Sequence, residues 1–350
     1  MRFSVLDQSP ISDGSTGAQA LRNTLDLARL TDRLGYHRYW VAEHHGGPML
    51  ASASPEALIG PIAAATEAIR VGSGGVMLPH YSPLKVAETF SILAALYPGR
   101  VDLGIGRAAG TDPMTTYALQ RDRRQAAPDD FPQQLAELLG YLEDSLPADH
   151  PFARLAGVLP GRPELPPVWL LGSSPQSAIW AGELGLPYAF ADFINPQGAD
   201  IAALYRQRFQ PARGLLSHST AVAAWILCAD SDEEAHHLAS SSRMTFTLLR
   251  RGQLIPVPPP ERAMEFLRRE GKLDGSAPRA QRRGIIGSPD TVRAGLESLV
   301  AEYQADEVIA VTITYDHGAR RRSYELLAEA MALEPRRAGA EPAAAVENAA

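Results

Sequence analysis

The sequence predicts an α/β protein folded as a (β/α)8 TIM barrel. Eight short apolar runs alternate with stretches of helical periodicity along the chain. The runs are nearly continuous in apolar residues, as in parallel strands covered on both faces. The third and fourth end in Gly72-Ser73-Gly74-Gly75 and Gly104-Ile105-Gly106, each followed by polar residues. In such folds ligands bind at the carboxyl ends of the strands. Neighbouring glycine-rich ends suggest a flat ligand pressed against bare backbone. An open doubly wound sheet shares the alternation and stands as the alternative. The long stretch between strands seven and eight is awkward for either count.

The elements follow in order. Strand one covers residues 3–7 and is stopped by Gln8-Ser9-Pro10. A helix over 18–34 places Leu21, Leu25, Ala28 and Leu34 at helical spacing, and Gly35 ends it. Strand two, 39–42, runs into Glu43-His44-His45. The helix over 55–66 has Ser54 in the N-cap position and Pro55 at its first turn. Strand three spans 70–78, a helix covers 83–97, and strand four spans 101–105. From 108 to 166 the pattern weakens, with one helical stretch over 129–146. Strand five, 168–172, is followed by Ser173-Ser174-Pro175 and a helix to 184. Strand six is 188–191 with a helix over 197–209, and strand seven is 222–228 with a helix over 232–250. The proline-rich stretch 252–287 holds a short charged helix around 262–270 and reads as an insertion, a lid over the barrel mouth. A helix opens at Ser288-Pro289 and runs to 303. Strand eight is 308–313 and the last helix is 320–332. Residues 1–332 thus form one domain, and 333–350, rich in Ala, Glu and Arg, read as a disordered tail.

The composition narrows the function. With 350 residues and 45% hydrophobic content, a sizeable core can be buried. A net charge of −7 argues against a nucleic-acid partner. The one cysteine, Cys228, excludes an intrachain disulfide and reads as a small core residue of strand seven. The N-terminal stretch has no signal-peptide core, and no segment is apolar enough to span a bilayer. A cytoplasmic enzyme with no membrane partner, acting on a small molecule, is the expectation.

Three stretches could carry chemistry. His44 and His45 follow strand two at the ligand-binding face. Adjacent loop histidines point apart, so they make a poor metal pair, while either imidazole could move a proton near neutral pH. A metal-dependent hydrolase stays open as an alternative, although no metal ligands are assigned. Gly104 to Ala109 matches the dinucleotide fingerprint after a strand, but Thr111, Asp112 and Pro113 follow where a helix is expected. The competing reading is that the glycines admit a ring and Arg107 meets a phosphate through its two-pronged guanidinium. Gly172-Ser173-Ser174-Pro175-Gln176-Ser177 is either a phosphate cradle at a helix start or a plain serine cap. Arg107 and this turn leave neighbouring strands and together make a plausible phosphate site. His80, Tyr81 and Asp7 also fall at strand ends. His37, His150, His218, His236, His237 and His317 have no supporting context and read as surface or capping residues.

Read together, Trp40-Val41-Ala42-Glu43-His44-His45, Val71 to Pro79, Gly99 to Arg107 and Trp169 to Ser174 resemble the bacterial-luciferase-like flavin monooxygenases. The likeness is good to about residue 191 and is one of pattern beyond. It implies a barrel that binds flavin mononucleotide (FMN) at its carboxyl face. Arg107 and the strand-five turn, with Gly172, Ser173, Ser174 and Ser177, would hold the phosphate. Gly74, Gly75 and Gly106 would lie at the ring, with a non-proline cis peptide at Gly74-Gly75. His44 would be the catalytic imidazole, and His45, His80 and Tyr81 would line the substrate pocket. Two departures stand out. Luciferase has a reactive cysteine at Gly106 and an acid at Ser173, so neither its light reaction nor its heterodimer is implied. The resemblance also implies O2 as co-substrate, reduced FMN supplied by a separate reductase or formed at the same site, and a homodimer. A deazaflavin-dependent hydride transfer on the same fold, or a flavin-binding protein without turnover, are the alternatives.

Overall fold

The structure is a computed structural model that describes residues 1–107, 112–124, 129–272 and 284–336. Its strands are β1 (Arg2–Asp7), β2 (Arg38–Val41), β3 (Arg70–Met77), β4 (Val101–Gly106), β5 (Val168–Gly172), β6 (Tyr188–Ala191), β7 (Thr220–Cys228), β8 (Gly284–Gly287) and β9 (Glu307–Val311). β1 to β7 pair in sequence order, β7 pairs with β9, and β9 pairs with β1, all parallel. This closes a (β/α)8 barrel and removes the open doubly wound alternative.

The helices are α1 (Gly17–Arg33), α2 (Pro55–Ala64), α3 (Pro83–Leu96), α4 (Pro113–Leu119), α5 (Phe131–Glu143), α6 (Ala153–Ala156), α7 (Pro175–Glu183), α8 (Ala199–Arg208), α9 (Asp232–Leu249), α10 (Pro260–Arg269), α11 (Pro289–Tyr303) and α12 (His317–Ala330). Local chemistry starts several of them. Thr16 accepts from the Gln19 amide at the head of α1, and Ser231 caps α9 ahead of Asp232, Glu233 and Glu234, which favour the positive helix end. Ser54 holds the N-cap position of α2 but makes no capping bond; its hydroxyl donates to Glu56 instead, 2.6 Å away.

The main core lies between barrel and helices, around Val5, Val41, Val71, Leu103, Phe90, Tyr188 and Leu327. Inside the barrel, Trp40 and Trp169 meet edge to face at 5.4 Å, surrounded by Leu6, Ala189, Ala221, Ala223, Ile309 and Val311. Small residues on the other strands leave room for the two indoles.

The N-terminal end of the barrel is sealed by charge. Asp102 accepts from Arg38 at 2.7 Å and Arg70 at 2.5 Å, and Arg38 also reaches Glu307 at 3.0 Å. The Trp40 indole donates to Asp102, and the Arg38 guanidinium lies 4.7 Å from the Trp169 ring centre. Burial alone would raise the Asp102 pKa, but the two arginines overcome it and hold the carboxyl down at about 2.

Several features were not anticipated, among them the short helix α6 in the weak 108–166 stretch. A ninth strand, β8, pairs with the outer half of β7 from Trp225 to Cys228. It lies within 252–287, where only a helix was expected, and four residues are too few to show a period. A helix, α4, starts at Pro113 with Asp112 accepting from the Met114 and Thr115 amides, where the sequence suggested none. Leu333 packs on the core, and Arg336 bonds Asp32 and the Tyr36 carbonyl. The tail as drawn therefore begins too early, and its residues 337–350 lie outside the described ones.

Candidate active site

The carboxyl ends of β1 to β5 bring most of the expected residues to one mouth. After β2, the fully buried Glu43 splits its carboxylate. Oε1 meets Nε2 of His45 at 2.8 Å, and Oε2 accepts from the Met77 amide at 2.8 Å. Tyr81 also hydrogen-bonds this carboxylate; burial first, then Glu43 and Glu56, push the Tyr81 phenol far above its ordinary value. The His80 ring stands perpendicular to that of His45 at 5.9 Å. His45, His80 and Tyr81 thus form one group around Glu43.

His44 turns the other way. Its Nε2 lies 3.2 Å from the carboxamide nitrogen of Gln8, at the end of β1, and its backbone amide donates to Ser52. The adjacent imidazoles therefore diverge. Among the described residues, no group of three or more His, Cys, Asp or Glu is placed to hold a metal ion. Asp7, the third strand-end candidate, is part of the frame. It is fully buried and bound by Arg320 at 2.6 Å, Tyr39 at 2.6 Å and the Ser9 amide at 2.7 Å.

Gly74 and Gly75 are joined by a cis peptide, and the β3–β4 register slips between Ser73 and Val76. A Cβ on Gly75 would meet the Gly104 carbonyl oxygen at 2.7 Å, and one on Gly74 would meet Leu6 at 2.5 Å. Packing against backbone thus favours glycine at 75, whereas at 74 the near atom is the end of the Leu6 side chain. A side chain at Gly75 would first strike the β4 backbone, so close strand packing is itself a reason for a glycine there. Gly106 is looser, its nearest neighbours being Met77 side-chain atoms at 3.1 Å.

At β5, Ser174 and Ser177 form a reciprocal capping box over the start of α7. The Ser177 hydroxyl also meets the Tyr188 hydroxyl at 2.9 Å, and a Cβ on Gly172 would hit that Ser177 oxygen. Ser177 is buried, so it shapes the turn, whereas Ser173 is half-buried and Ser174 exposed. Arg107 leaves the adjacent β4 with its guanidinium 5.7 Å from the ring centre of Trp180, on α7, and 3.6 Å from Asp129. Residues 108–111, the rest of the glycine-rich turn, lie outside the described ones.

A cavity of about 750 Å³ opens on the other side of the mouth, between β7, β8, α9 and α10. Trp225, Val311 and Ile313 form its barrel side. His236 and His237, given surface roles from the sequence, are on its wall, as is Arg243, which the sequence reading passed over. Their signal was the spacing of Arg243, Phe246 and Arg250 on one helix face. Above the mouth, Met49, Val257 and Ile313 pack with Leu50, Trp225, Phe246 and Leu249.

These residues fit FMN. A half-exposed arginine stands beside the N-terminus of a nine-residue helix, a suitable pair for a phosphate. Gln8 Oε1 and Trp225 Nε1 are buried at the mouth without a hydrogen-bond partner, one acceptor and one donor for the polar edges of a ring system. No helix of the described residues is long and apolar enough to cross a membrane.

Comparison with known proteins agrees with this geometry. Residues 1–307 match the family model for luciferase-like monooxygenase. The luciferase-like monooxygenase of Escherichia coli K12 is 43% identical over 93% of this chain and 95% of its own length. The N-acetyl-S-alkylcysteine monooxygenase of Bacillus subtilis is 36% identical, covering 95% of this chain and 98% of its own. The crystal structure of apo-MsnO8 is 41% identical with a TM-score of 0.87, over 96% of this chain and 98% of that one. Two remoter structures share the fold alone. They are the oxygenating constituent of a Pseudomonas putida 3,6-diketocamphane monooxygenase in complex with FMN, 21% identical with TM-score 0.69 over 94% of this chain and 97% of that one. The other is an F420-dependent secondary alcohol dehydrogenase, 14% identical with TM-score 0.63 over 94% and 98%. The likeness therefore runs well past residue 191, into the half where motifs alone were silent. From the strand-end motifs to the closed barrel and its relatives, the chain belongs to the luciferase-like monooxygenase family and is a monooxygenase of that class.

Proposed function

We propose that the protein is an FMN-dependent monooxygenase that uses reduced flavin and O2 to oxygenate a small organic substrate. The observation that carries this reading is the pairing of Arg107 with the N-terminus of α7 on neighbouring strands, beside the Gly74-Gly75 strand end. A phosphate there would take charge-assisted bonds from Arg107 and backbone N–H groups from the turn after Ser173. Reduced FMN supplies the activation of O2, chemistry that the side chains lack. The imidazole of His44, oriented by the Gln8 contact at Nε2, would hold or move a proton at the reacting centre. The apolar roof of Met49, Val257 and Ile313 would exclude water, with Val257 contributed by the 252–272 stretch that would serve as the lid. Reduced flavin would arrive from a separate reductase, and the enzyme would work as a cytoplasmic homodimer. The FMN-bound fold neighbour supports this cofactor and the F420-dependent one keeps deazaflavin as the competitor.

The deciding experiment titrates the protein with FMN and with F420, reading absorbance, and then measures oxygen uptake with each cofactor reduced. FMN should bind with a perturbed spectrum and support uptake. F420 binding with no uptake would transfer the assignment to hydride transfer.

A further inference from the structure

The cavity beside the mouth has a composition that selects its ligand. His236, Ala239, Arg243, Phe246 and Arg250 recur at helical spacing on one face of α9 and all line it. At the barrel end the wall is apolar. Phe246 packs on Trp225 at 4.7 Å, and Ile286 and Ile313 flank them. One turn along α9 from Phe246 sits Arg243, half-buried. Its guanidinium donates to the Lys272 carbonyl at 2.5 Å, and among the described residues no carboxylate pairs with it. Of the acids nearby, Glu233 is ten residues away, about 15 Å along the helix, and exposed. Glu261 faces His237 at 3.7 Å. Arg250 lines the cavity too but is exposed.

Arg38, Arg70 and Arg320 are paired with carboxylates, whereas Arg243, like the half-buried Arg100, Arg162 and Arg206, has no carboxylate partner among the described residues. Of these four it is Arg243 that lines the cavity, where its single hydrogen bond leaves most of its five N–H groups for a ligand. Burial alone holds Arg243 below the ordinary arginine value, with no anion to restore it. The Trp225 Nε1–H, buried in the same wall, has no acceptor either. An anionic head at Arg243 leaves an attached apolar body lying over Phe246 and Trp225, pointing at the barrel mouth.

We propose that this cavity is the substrate pocket and that it takes organic acids: Arg243 binds the carboxylate, and the apolar body packs on Phe246, Trp225 and Ile313 with its reactive atom toward the mouth. The assignment rests on the monooxygenase reading above, but binding alone tests it. Isothermal titration of the full chain with octanoate and phenylacetate, each against its neutral amide, should show the acid bound at least tenfold more tightly. Arg243→Gln should abolish that preference while leaving amide affinity within twofold, which also shows that the pocket is folded. Arg243→Glu should turn the preference toward octylamine. Equal affinity of acid and amide, no binding of either acid, or a preference that survives Arg243→Gln would each overturn the proposal. FMN titration of the same preparations separates the two readings. FMN binding without acid preference refutes the pocket alone. Acid preference without FMN binding refutes the flavin reading and leaves the anion site standing.

Discussion

The two ends of the barrel solve the same problem in opposite ways. At the N-terminal end every buried charge is matched: Arg38, Arg70, Asp102 and Glu307 form a chain of ion pairs between the strand starts, under the two indoles. At the carboxyl end the polar groups are only partly matched. Glu43 is fully engaged, yet Gln8 Oε1, Ser52 Oγ and Trp225 Nε1 are buried without partners. Thr220 Oγ1, at the start of β7, also lacks a partner, so among the described residues the contrast is one of degree, with the unmatched groups named here gathered at the end where barrels of this kind do their chemistry.

The largest expected effect follows from the saturated end. Asp102→Ala would leave Arg38 and Arg70 facing each other in a buried site. Removing one partner of such a network typically costs about 3–5 kcal/mol, a large share of the stability of a domain. Gln8→Ala at the mouth removes a single hydrogen bond and should cost about 1 kcal/mol. Urea unfolding of both variants measures the contrast. Similar midpoints for the two would erase the distinction between the ends.

The next two effects probe the unsaturated end. His44→Ala should lower turnover about 10²–10⁴-fold while FMN affinity stays within a few-fold, because the imidazole is held by Gln8 at the end of β1 and acts on the proton rather than in docking. His45→Ala should instead lower stability, since it strips a partner from the buried Glu43. Stopped-flow absorbance of the reduced-flavin complex mixed with oxygen, followed by unfolding of both variants, distinguishes them. Wild-type kinetics in His44→Ala with altered kinetics in His45→Ala would reverse the roles. Arg107→Ala should weaken FMN by about 1.5–3 kcal/mol and leave riboflavin nearly unchanged. Its pair with Asp129 does not compete strongly: both side chains are exposed, 51% and 79%, and such pairs contribute about 0–1 kcal/mol. Equal losses for the two ligands would remove Arg107 from the phosphate.

How far the sequence reaches depends on the range of the interaction. The strands and most helices were legible because apolar period and caps are local. The strand-end turns at Gly74, Arg107 and Ser174 were legible for the same reason. The reason for Gly75 was not, since it comes from the Gly104 carbonyl on the next strand. Nor was the role of Ser177, whose hydroxyl is set by Tyr188 on β6. The charged seal did leave a trace: Arg38, Asp102 and Glu307 sit at or near the starts of apolar strands, where an unpaired charge would be costly. The cavity wall on α9 was hidden because nothing local says that β8 and α10 fold back beside it.

The sealed end also sets a small acid sensitivity. His37, at the start of β2, packs beside Arg38, and burial first, then that arginine, lower its pKa from 6.5 to about 4. Between those values the unfolded chain holds a proton that the folded chain lacks. The His37 contribution is therefore present above about pH 6.5 and is lost as the pH falls toward 4. Asp102 acts lower, its contribution disappearing as the pH falls from 3.8 through about 2. His317, at the other end of the barrel, is also held below its ordinary value, by burial first against the opposing pull of Asp26, and so adds to stability in the same direction, its share lost as the pH falls below 6.5. One proton accounts for a slope of at most about 1.4 kcal/mol per pH unit. Urea unfolding across pH 4 to 6.5 should show stability rising with pH, His37→Gln should reduce that slope, and adding His317→Gln should flatten it further. An unchanged slope in His37→Gln would mean that the imidazole charges as readily in the fold as in the open chain, and that the sealed end admits water.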